Sequence, residues 1–487
     1  MKKLPSEILA KYEAVIGLEI HVQLSTQSKM FATEAAGLAP GPNRHVSLIA
    51  MAHPGALPSI NLGGVEKAVR FGMAIHGEIA QTCYFDRKHY FYPDSPKGYQ
   101  MTQDGKPYCM GGRIEFPMPD GEIRGIDLHH IHIEEDAGKS LHQAGKPYTQ
   151  VDLNRAGTPL IEIVTLPTLH EPEEAGALMA EVRRLVRYLD VGDGDMEKGN
   201  LRCDANISIR PKGVKTLGTR AEIKNVNSIN FVIRALKYEF QRQVQLVEAG
   251  EEIVQETRTW DAQAGKTFGM RDKENAHDYR YFPEPDLLPI HLSEAWMSAR
   301  KAELLELPID RYRRYLEAGL SVNESLALIE QIQLSAYFDQ LVEQVDSSKT
   351  AANWLLGPVK AFLNQSGQSI EQFPLGVDQL VELITWVKKG QFSRQVAIAQ
   401  VLPAWVESPS APLERIAQQL DLLGKPEADE IGKILQEVLD AFPKEANRLK
   451  QGEMKLIGFF IGQANKKFKG KADPKAIKTA VMEWAKS

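Results

Sequence analysis

Two segments of the chain alternate strictly between apolar and polar residues. The first runs from 18 to 24 and carries Glu19, His21 and Gln23 between apolar residues. The second runs from 201 to 210, and its polar positions are Arg202, Asp204, Asn206, Ser208 and Arg210. Successive side chains of a strand point to opposite faces. Both segments are therefore predicted to be strands with one apolar and one polar face.

The periodicity changes along the chain. Up to about Leu292, short alternating segments broken by Gly, Pro, Asn and Asp predict an antiparallel sheet with intervening helices. From Ser293, a predicted helix start, the apolar residues follow helical spacing. A proline-containing linker occupies 407–412, and the last helix is predicted to begin at Asp473-Pro474. The expected class is α+β, with domains at 1–292, 293–406 and 407–487.

Composition narrows the class of protein. The chain has 487 residues, 43% of them apolar, and no apolar run of the roughly 18 residues that a membrane span needs. Its N-terminus does not read as a signal peptide, so we expect a cytoplasmic protein without a membrane partner. The three cysteines are widely separated, which excludes a thiolate zinc site and predicts inert thiols.

Charge is distributed unevenly. The net charge is −6, yet residues 441–487 contain eleven Lys or Arg against four Asp or Glu. A polyanion is therefore expected to bind the C-terminal end. Lys466, Lys467, Lys469 and Lys471 are the candidate residues, and an ordinary solvated positive face is the alternative.

Carboxylates within predicted strands are the main candidate chemistry. Glu19 and His21 share a face, and Glu162 is the only acid in a strand that is otherwise apolar on both faces. A buried acid needs a partner, and carboxylates with one imidazole suit Mg²⁺ or Mn²⁺. Alternation from His132 puts Glu134 on its face and Glu135 on the other, but periodicity does not decide which acid points inward.

Basic residues on neighbouring predicted strands suggest a phosphate site. Arg202 and Arg210 flank Asp204, and Arg220, Glu222 and Lys224 continue the pattern in the next segment. Neither a complete phosphate-binding glycine loop nor a dinucleotide fingerprint occurs in the chain. If ATP binds, we expect it to bind on a sheet through metal and arginine.

Six motifs carry a resemblance to a known family. They are Val15–Val22 (VIGLEIHV), Phe85–Asp94 (FDRKHYFYPD), Glu134–Ser140 (EEDAGKS), Asp152–Arg155 (DLNR), Leu201–Asn206 (LRCDAN) and Asp278–Asp286 (DYRYFPEPD). Together, and in this order, they resemble the B subunits of tRNA-dependent amidotransferases.

The resemblance implies an ATP-dependent enzyme that amidates glutamate or aspartate misacylated on tRNA(Gln) or tRNA(Asn). It implies a heterotrimer in which the other two chains are an amidase (glutaminase) and a small third protein. The first domain would be a cradle similar to the catalytic core of glutamine synthetase and guanido kinases, and two helical domains would follow. The basic tail would contact tRNA.

The resemblance also implies roles for individual residues. The metal ligands would be Glu19, His21, Glu135, Glu162 and Asp204, which selects Glu135 over Glu134. Catalytic roles would fall to Glu135, Lys88 and Arg202, with Lys88 near the channel that delivers ammonia. The residues predicted to bind ATP are Arg202, Arg210, Glu222 and Lys224.

Two other functions remain open from the sequence. One is a tRNA-binding scaffold whose acidic residues are purely structural, and the other is a free-standing carboxylate–amine ligase. The chain has no glutaminase signature, so ammonia would have to come from a partner.

Overall fold

The computed structural model describes residues 4–142, 145–224, 226–270, 279–423, 428–468 and 474–486. The chain forms two compact units. The first consists of 1–317 and 329–332, and the second of 318–328 and 333–487.

Within the described residues, the strands all lie in the first unit. They are β1 (Tyr12–Gln23), β2 (Glu78–Ile79), β3 (Thr82–Cys83), β4 (Asp86–His89), β5 (Tyr99–Thr102), β6 (Cys109–Met110), β7 (Arg113–Pro117), β8 (Ile123–Glu135), β9 (Lys139–His142), β10 (Thr149–Asp152), β11 (Pro159–Thr165), β12 (Leu201–Pro211), β13 (Ala221–Lys224), β14 (Glu256–Asp261), β15 (Lys266–Gly269), β16 (Phe282–Pro283) and β17 (Ile290–His291).

The helices occur in both units. They are α1 (Ser6–Leu9), α2 (Leu62–Ala74), α3 (Pro172–Tyr188), α4 (Ile229–Glu248), α5 (Glu294–Ala302), α6 (Pro308–Glu317), α7 (Val322–Ile329), α8 (Ile332–Gln344), α9 (Ser348–Trp354), α10 (Lys360–Ser366), α11 (Val377–Lys388), α12 (Arg394–Val396), α13 (Leu402–Glu407), α14 (Leu413–Gln419), α15 (Ala428–Ala441), α16 (Pro443–Lys450), α17 (Ile457–Lys467) and α18 (Pro474–Lys486).

One ten-stranded sheet dominates the first unit. Its strands lie in the order β15-β14-β13-β12-β1-β11-β8-β6-β2, and β7 also pairs with β8. The α+β expectation is confirmed at the level of class, but the sheet is mixed rather than wholly antiparallel, because β13 and β14 pair in parallel. The helix α4 connects these two strands along the chain, a crossover that parallel neighbours require.

The sheet has one apolar face that is covered by helices. Along β1 and β12, the apolar positions Ile20, Val22, Cys203 and Ala205 are almost completely buried and belong to the main core. Helix α4 packs on β12, and α3 packs on β1 and α4. Burial of the apolar positions leaves the alternate, polar positions of β1 and β12 on the opposite face.

Two predicted helix starts are observed. Ser293 caps α5, since its Oγ accepts a hydrogen bond from the backbone N–H of Trp296 at 3.2 Å. The last helix, α18, begins at Pro474, as predicted from the proline, while Asp473 lies outside the described residues. Leu292 belongs to the core of the first unit and Trp296 packs against it, so the start of α5 continues that core.

The second unit consists of helices in its described part. A separate apolar cluster near the C-terminus includes Leu435, Phe460 and Val481. No helix in the described ranges combines the length and apolar character needed to cross a membrane. The three cysteines are buried and free, in agreement with the expectation of inert thiols.

Candidate functional site

The polar residues predicted from the sequence meet on four adjacent strands, β12, β1, β11 and β8. Across them, Arg202 pairs with His21, His21 with Glu162, and Glu162 with His132. Paired residues project to the same face, and neighbouring strands lie about 4.8 Å apart. Register therefore brings two imidazoles, a carboxylate and a guanidinium into one row.

Three side chains in and beside this row form a compact group of ligand atoms. Nε2 of His21 lies 3.0 Å from Oε2 of Glu162 and 4.0 Å from Oε1 of Glu134. The ligand atoms of these residues all lie within 4.8 Å of one another. Two carboxylates and one imidazole at this spacing can coordinate a Mg²⁺ or Mn²⁺ ion. We call His21, Glu134 and Glu162 the central group.

Positive charge surrounds the central group. Nε2 of His132 lies 3.6 Å from a carboxylate oxygen of both Glu134 and Glu162. Burial would raise the pKa of Glu162, but the hydrogen bond with His21 and the charge of His132 hold that pKa below its usual value. Burial lowers the pKa of His21, whereas the hydrogen bond and charge of Glu162 raise it, and the net shift is upward. Glu162 is therefore held ionised.

The structure does not bring Glu135 to the central group. The Glu135 carboxylate pairs with Nζ of Lys97 and accepts a hydrogen bond from the backbone N–H of Met101 at 3.0 Å. Both charged side chains are nearly inaccessible, at 4% exposure for Glu135 and 5% for Lys97. Glu134, and not Glu135, lies beside His21 and Glu162, because strand alternation places it on the face of His132. The metal-binding and catalytic roles expected of Glu135 stay a prediction.

Glu19 and Asp204 lie on the same polar face as the central group and pair with each other across β1 and β12. Burial raises the pKa of Glu19, and the charges of Glu162 and Glu222 raise it further. Nδ2 of Asn206 donates to Glu19 at 3.1 Å. Asp204, in contrast to Glu19, forms an ion pair: its Oδ2 lies 2.8 Å from Nζ of Lys224.

Lys224 also bridges to Glu222, whose Oε1 lies 3.0 Å from its ammonium group. Burial opposes the charge on Lys224, but Asp204 and Glu222 raise its pKa. These two predicted nucleotide-binding residues therefore border the acidic face as a charge-balanced pair. Arg210 lies elsewhere: Nε donates to Oε1 of Glu13 at 2.6 Å. It is eight residues from Arg202 along β12, or about 26 Å at 3.3 Å per residue.

Lys88 approaches the central group from a different sheet. It belongs to β4, which pairs with β5 and β16. Burial opposes its charge, but the carboxylate of Glu134 raises its pKa above the ordinary lysine value. Its Nζ lies 4.9 Å from the ring centroid of Tyr279. The predicted residue is thus positioned beside the acids that the main sheet supplies.

The two similar aromatic–proline segments, 90–94 and 281–286, are neighbours in the fold. Phe282 pairs with Arg87 of β4, the strand that leads directly into the first segment. The ring of Phe282 stacks on His89 with centroids 5.0 Å apart. Arg87 joins them through a bidentate contact to Glu284, with both N–O distances 2.8 Å. This packing holds the backbone on both sides of Lys88.

A pocket of about 490 Å³ adjoins Glu19 on the polar face of the sheet. Its lining includes Gly17, which shares a face with Glu19, and Pro167 packs 3.4 Å from the place that a Cβ atom of Gly17 would take. Pro167 and Leu217 contribute apolar surface, and Leu217 is largely exposed. The polar lining is Glu19, Thr165, Asn206, Ser208, Thr219, Arg220 and Gln255.

The tail lysines are described only in part. Lys466 and Lys467 end α17, and both are exposed. Nζ of Lys467 lies 2.6 Å from Oε2 of Glu437. Lys469 and Lys471 lie outside the described residues. The structure thus supports an exposed position for two of the four lysines.

Sequence reasoning missed Asp136, His132 and Gln23 as site residues. Their signals were partly visible, because His132 and Gln23 each share a strand face with a residue that was selected. Asp136 gave no periodic signal, since it follows the last residue of β8. Its Oδ2 accepts hydrogen bonds from Nη2 of Arg202 at 2.8 Å and Nε2 of Gln23 at 2.7 Å.

Comparison with known proteins covers nearly the whole chain. Residues 14–298 match the family model described as the GatB/GatE catalytic domain, and residues 336–484 match the model described as the GatB domain. A relative from Thermodesulfovibrio yellowstonii is 44% identical over 98% of this chain and 100% of its own length. Relatives from Synechococcus and Alkalilimnicola ehrlichii are 43% and 42% identical, over 96% and 97% of this chain and 96% and 99% of their own lengths. All three are named as the B subunit of an aspartyl/glutamyl-tRNA(Asn/Gln) amidotransferase.

Proposed function

This chain belongs to the GatB family of tRNA-dependent amidotransferase subunits, and we propose that its first unit carries out the ATP-dependent amidation step. The substrate is the side-chain carboxylate of glutamate on tRNA(Gln) or of aspartate on tRNA(Asn). ATP converts this carboxylate into an acyl phosphate, and ammonia then displaces phosphate to form the amide. The observation that carries the proposal is the cluster of His21, Glu134 and Glu162, whose ligand atoms all lie within 4.8 Å of one another.

The central group would hold the divalent cation that accompanies ATP. Bound there, Mg²⁺ would offset the negative charge that gathers between the γ-phosphate and the attacking carboxylate. Glu162 is held ionised, which suits a metal ligand, whereas His21 has to give up any proton before its Nε2 can bind a metal. Glu19 and Asp204 form the next pair on the same face, two residues from His21 and Arg202 along β1 and β12, and they extend the acidic face.

Protein cations supply the remaining charge stabilisation. Lys88 stays protonated because Glu134 raises its pKa, so it serves as a fixed positive charge rather than as a general base. Arg202 lies at the β12 end of the row, paired with His21, and its guanidinium suits a phosphoryl oxygen. Ammonia attacks the acyl carbon as the neutral molecule, the bond from that carbon to the phosphate oxygen breaks, and the departing phosphate takes up the proton that the nitrogen loses.

The nucleoside part of ATP would occupy the pocket over Gly17. From Gly17 to His21 is four residues of β1, about 13 Å at 3.3 Å per residue. A triphosphate chain running along this strand would pass Glu19 and reach the central group. Arg220, Asn206 and Ser208 line the pocket and would contact sugar or phosphate oxygens. Lys224 and Glu222 would border the phosphates, whereas Arg210 is engaged by Glu13.

Partners follow from the chemistry that this chain does not supply. Its three cysteines are buried, so none of them offers an accessible thiol for glutamine hydrolysis. Ammonia is therefore expected from a separate glutaminase, which is the amidase chain of the proposed heterotrimer, and a small third protein would complete that assembly. The cradle built by the main sheet is proposed to be related to the cores of glutamine synthetase and guanido kinases. The helical domains, proposed at 293–406 and 407–487, would contact tRNA through the basic tail.

The direct test measures amide formation with ammonium in place of glutamine. The chain, assembled with its partner proteins, should convert misacylated tRNA and ATP into amidated tRNA, ADP and phosphate when Mg²⁺ is present. The chain alone should show no glutaminase activity. A structural scaffold predicts tRNA binding without ATP hydrolysis, and a free-standing ligase predicts amidation of free glutamate or aspartate; either result contradicts the proposal.

The pocket assignment predicts different effects for two arginines of the same region. Arg220→Ala should raise KM for ATP by about tenfold, since it removes a charge-assisted hydrogen bond of about 1.5 kcal/mol. Arg210→Ala is the matched control, because the Arg210 guanidinium is engaged by Glu13 and does not line the pocket, although it lies only two residues from Ser208. KM for ATP measured in the ammonium assay should stay unchanged in this control. Equal effects of the two substitutions would argue against the pocket.

The tail predicts a change in salt dependence. Replacing Lys466, Lys467, Lys469 and Lys471 by alanine should weaken tRNA binding. The slope of log Kd against log salt concentration should fall by up to about 0.7–0.9 for each of the four lysines. Turnover at saturating tRNA should change little, because the chemistry takes place in the other unit. Titration of labelled tRNA at several potassium concentrations measures the slope. An unchanged slope would make these lysines ordinary surface charges.

A further inference from the structure

Arg202 is held at one edge of its guanidinium by a buried carboxylate. Nη2 of Arg202 donates to Oδ2 of Asp136 at 2.8 Å. Asp136 is only 4% exposed, and the same oxygen accepts a hydrogen bond from Nε2 of Gln23 at 2.7 Å. Gln23 shares its face of β1 with His21, which pairs with Arg202 across the sheet. This contact therefore lies directly beside the central group.

The same edge of the guanidinium retains an unsatisfied donor, because Nε and Nη2 of an arginine point to one side. Nε of Arg202 is buried and has no hydrogen-bond partner among the described residues. A buried donor without a partner lowers the stability of the fold. Burial opposes the charge of Arg202, but Asp136 and then Glu134 raise its pKa, so the guanidinium stays charged. The Arg202 side chain is still 34% exposed, so a guanidinium anchored at its Nε–Nη2 edge can present Nη1 to an anion that arrives with the substrate.

The backbone around Asp136 is tightly fixed. The Asp136 N–H donates to the carbonyl of Thr158, and the Gly157 N–H donates to the carbonyl of Asp136, both at 2.8 Å. The adjoining segment is held by the buried ammonium of Lys29, which donates to the carbonyls of Asn154 and Ala156 at 2.5 and 2.6 Å. The carboxylate that anchors Arg202 is therefore itself part of a rigid framework.

We propose that Asp136, together with Gln23, is a positioning residue for the phosphoryl-transfer step and acts through Arg202. The inference rests on the proposed function and adds to it the residues that set the orientation of the guanidinium. An unrestrained arginine loses rotamer entropy when it is fixed in one orientation. Asp136 imposes that restraint before the substrate arrives, so Arg202 meets the charge that develops on the phosphoryl group without reorganising.

A double-mutant cycle tests whether Asp136 acts through Arg202. In the ammonium assay with the full complex, Arg202→Ala should lower kcat roughly 100-fold, as loss of one transition-state donor does. Asp136→Ala should lower kcat roughly tenfold, the usual effect of losing a supporting residue, with a smaller change in KM for ATP. The double variant should be no slower than Arg202→Ala alone. Multiplied effects in the double variant would overturn the proposal.

Chemical rescue gives a second readout that a purely structural role would not affect. Guanidinium at low, non-denaturing concentration should restore part of kcat to Arg202→Ala, because Asp136 and Gln23 still form its binding site. Rescue should be lost in the double variant. Rescue to the same extent in both variants would contradict a positioning role.

Two variants keep the outcome interpretable. Thermal unfolding checks whether Asp136→Ala is folded. If it is not, Asp136→Asn, which keeps the shape of the side chain and one acceptor oxygen, replaces it in the cycle. Asp127→Asn is the matched control, because Asp127 forms a half-exposed ion pair with Arg113 on the same sheet, with an N–O distance of 2.8 Å. Its kcat should equal that of the unaltered complex. If the unaltered complex forms no amide, the proposed function fails; if it is active and the cycle is additive, only the positioning role fails.

Discussion

Replacing Glu134 by glutamine is expected to lower metal-dependent amide formation by at least about 100-fold, or about 2.7 kcal/mol in activation free energy. The substitution keeps the shape of the side chain and removes one of the two carboxylates of the central group. It also removes the charge that raises the pKa of Lys88. His21 and His132 retain Glu162 as a partner, so the fold is expected to remain intact.

The measurement combines kcat in the ammonium assay with Mn²⁺ binding followed by calorimetry. Glu134→Gln should weaken Mn²⁺ binding, and Glu162→Gln should do the same. Glu122→Gln is the matched control, since Glu122 lies just before β8, outside the central group. Mn²⁺ affinity that is unchanged in Glu134→Gln but lost in Glu135→Gln would return the ligand role to Glu135.

Replacing Glu135 by glutamine should instead lower the free energy of unfolding by about 3–5 kcal/mol. The substitution leaves the ammonium group of Lys97 buried without its counter-charge, at 5% exposure. The amide oxygen of glutamine can still accept the hydrogen bond from Met101, so the loss arises mainly from the unpaired cation. Mn²⁺ affinity of the folded variant should stay close to that of the unaltered chain.

Urea unfolding of Glu135→Gln and of the double variant Glu135→Gln/Lys97→Met separates charge from shape. The double variant should regain most of the lost stability, because it contains no unpaired buried charge. A single variant as stable as the unaltered chain would show that the Glu135–Lys97 pair contributes little. Equal destabilisation of the single and double variants would attribute the loss to packing rather than to the unpaired cation.

Local pattern determined which residues share a face. The alternation in β1 and β12 identified the polar faces that carry His21 and Arg202, because the side-chain period of two follows from strand geometry alone. The isolated acid Glu162 indicated a buried partner, and His21 is that partner. Ser293 and Pro474 marked helix starts, since capping depends only on neighbouring residues. Six ordered motifs were sufficient to identify the family.

Only the tertiary structure decided which strands are neighbours and which face of each points toward the site. Alternation put Glu134 with His132, but the pairing of His132 with Glu162 was needed to establish that this is the inward face. Family resemblance selected Glu135, which instead neutralises Lys97 on the opposite side of the strand. The parallel pairing of β13 with β14, the approach of Lys88 from a second sheet and the contact of Asp136 with Arg202 all join residues distant in the chain. Such contacts depend on register and packing between strands, whereas periodicity reports only the orientation of side chains within one strand.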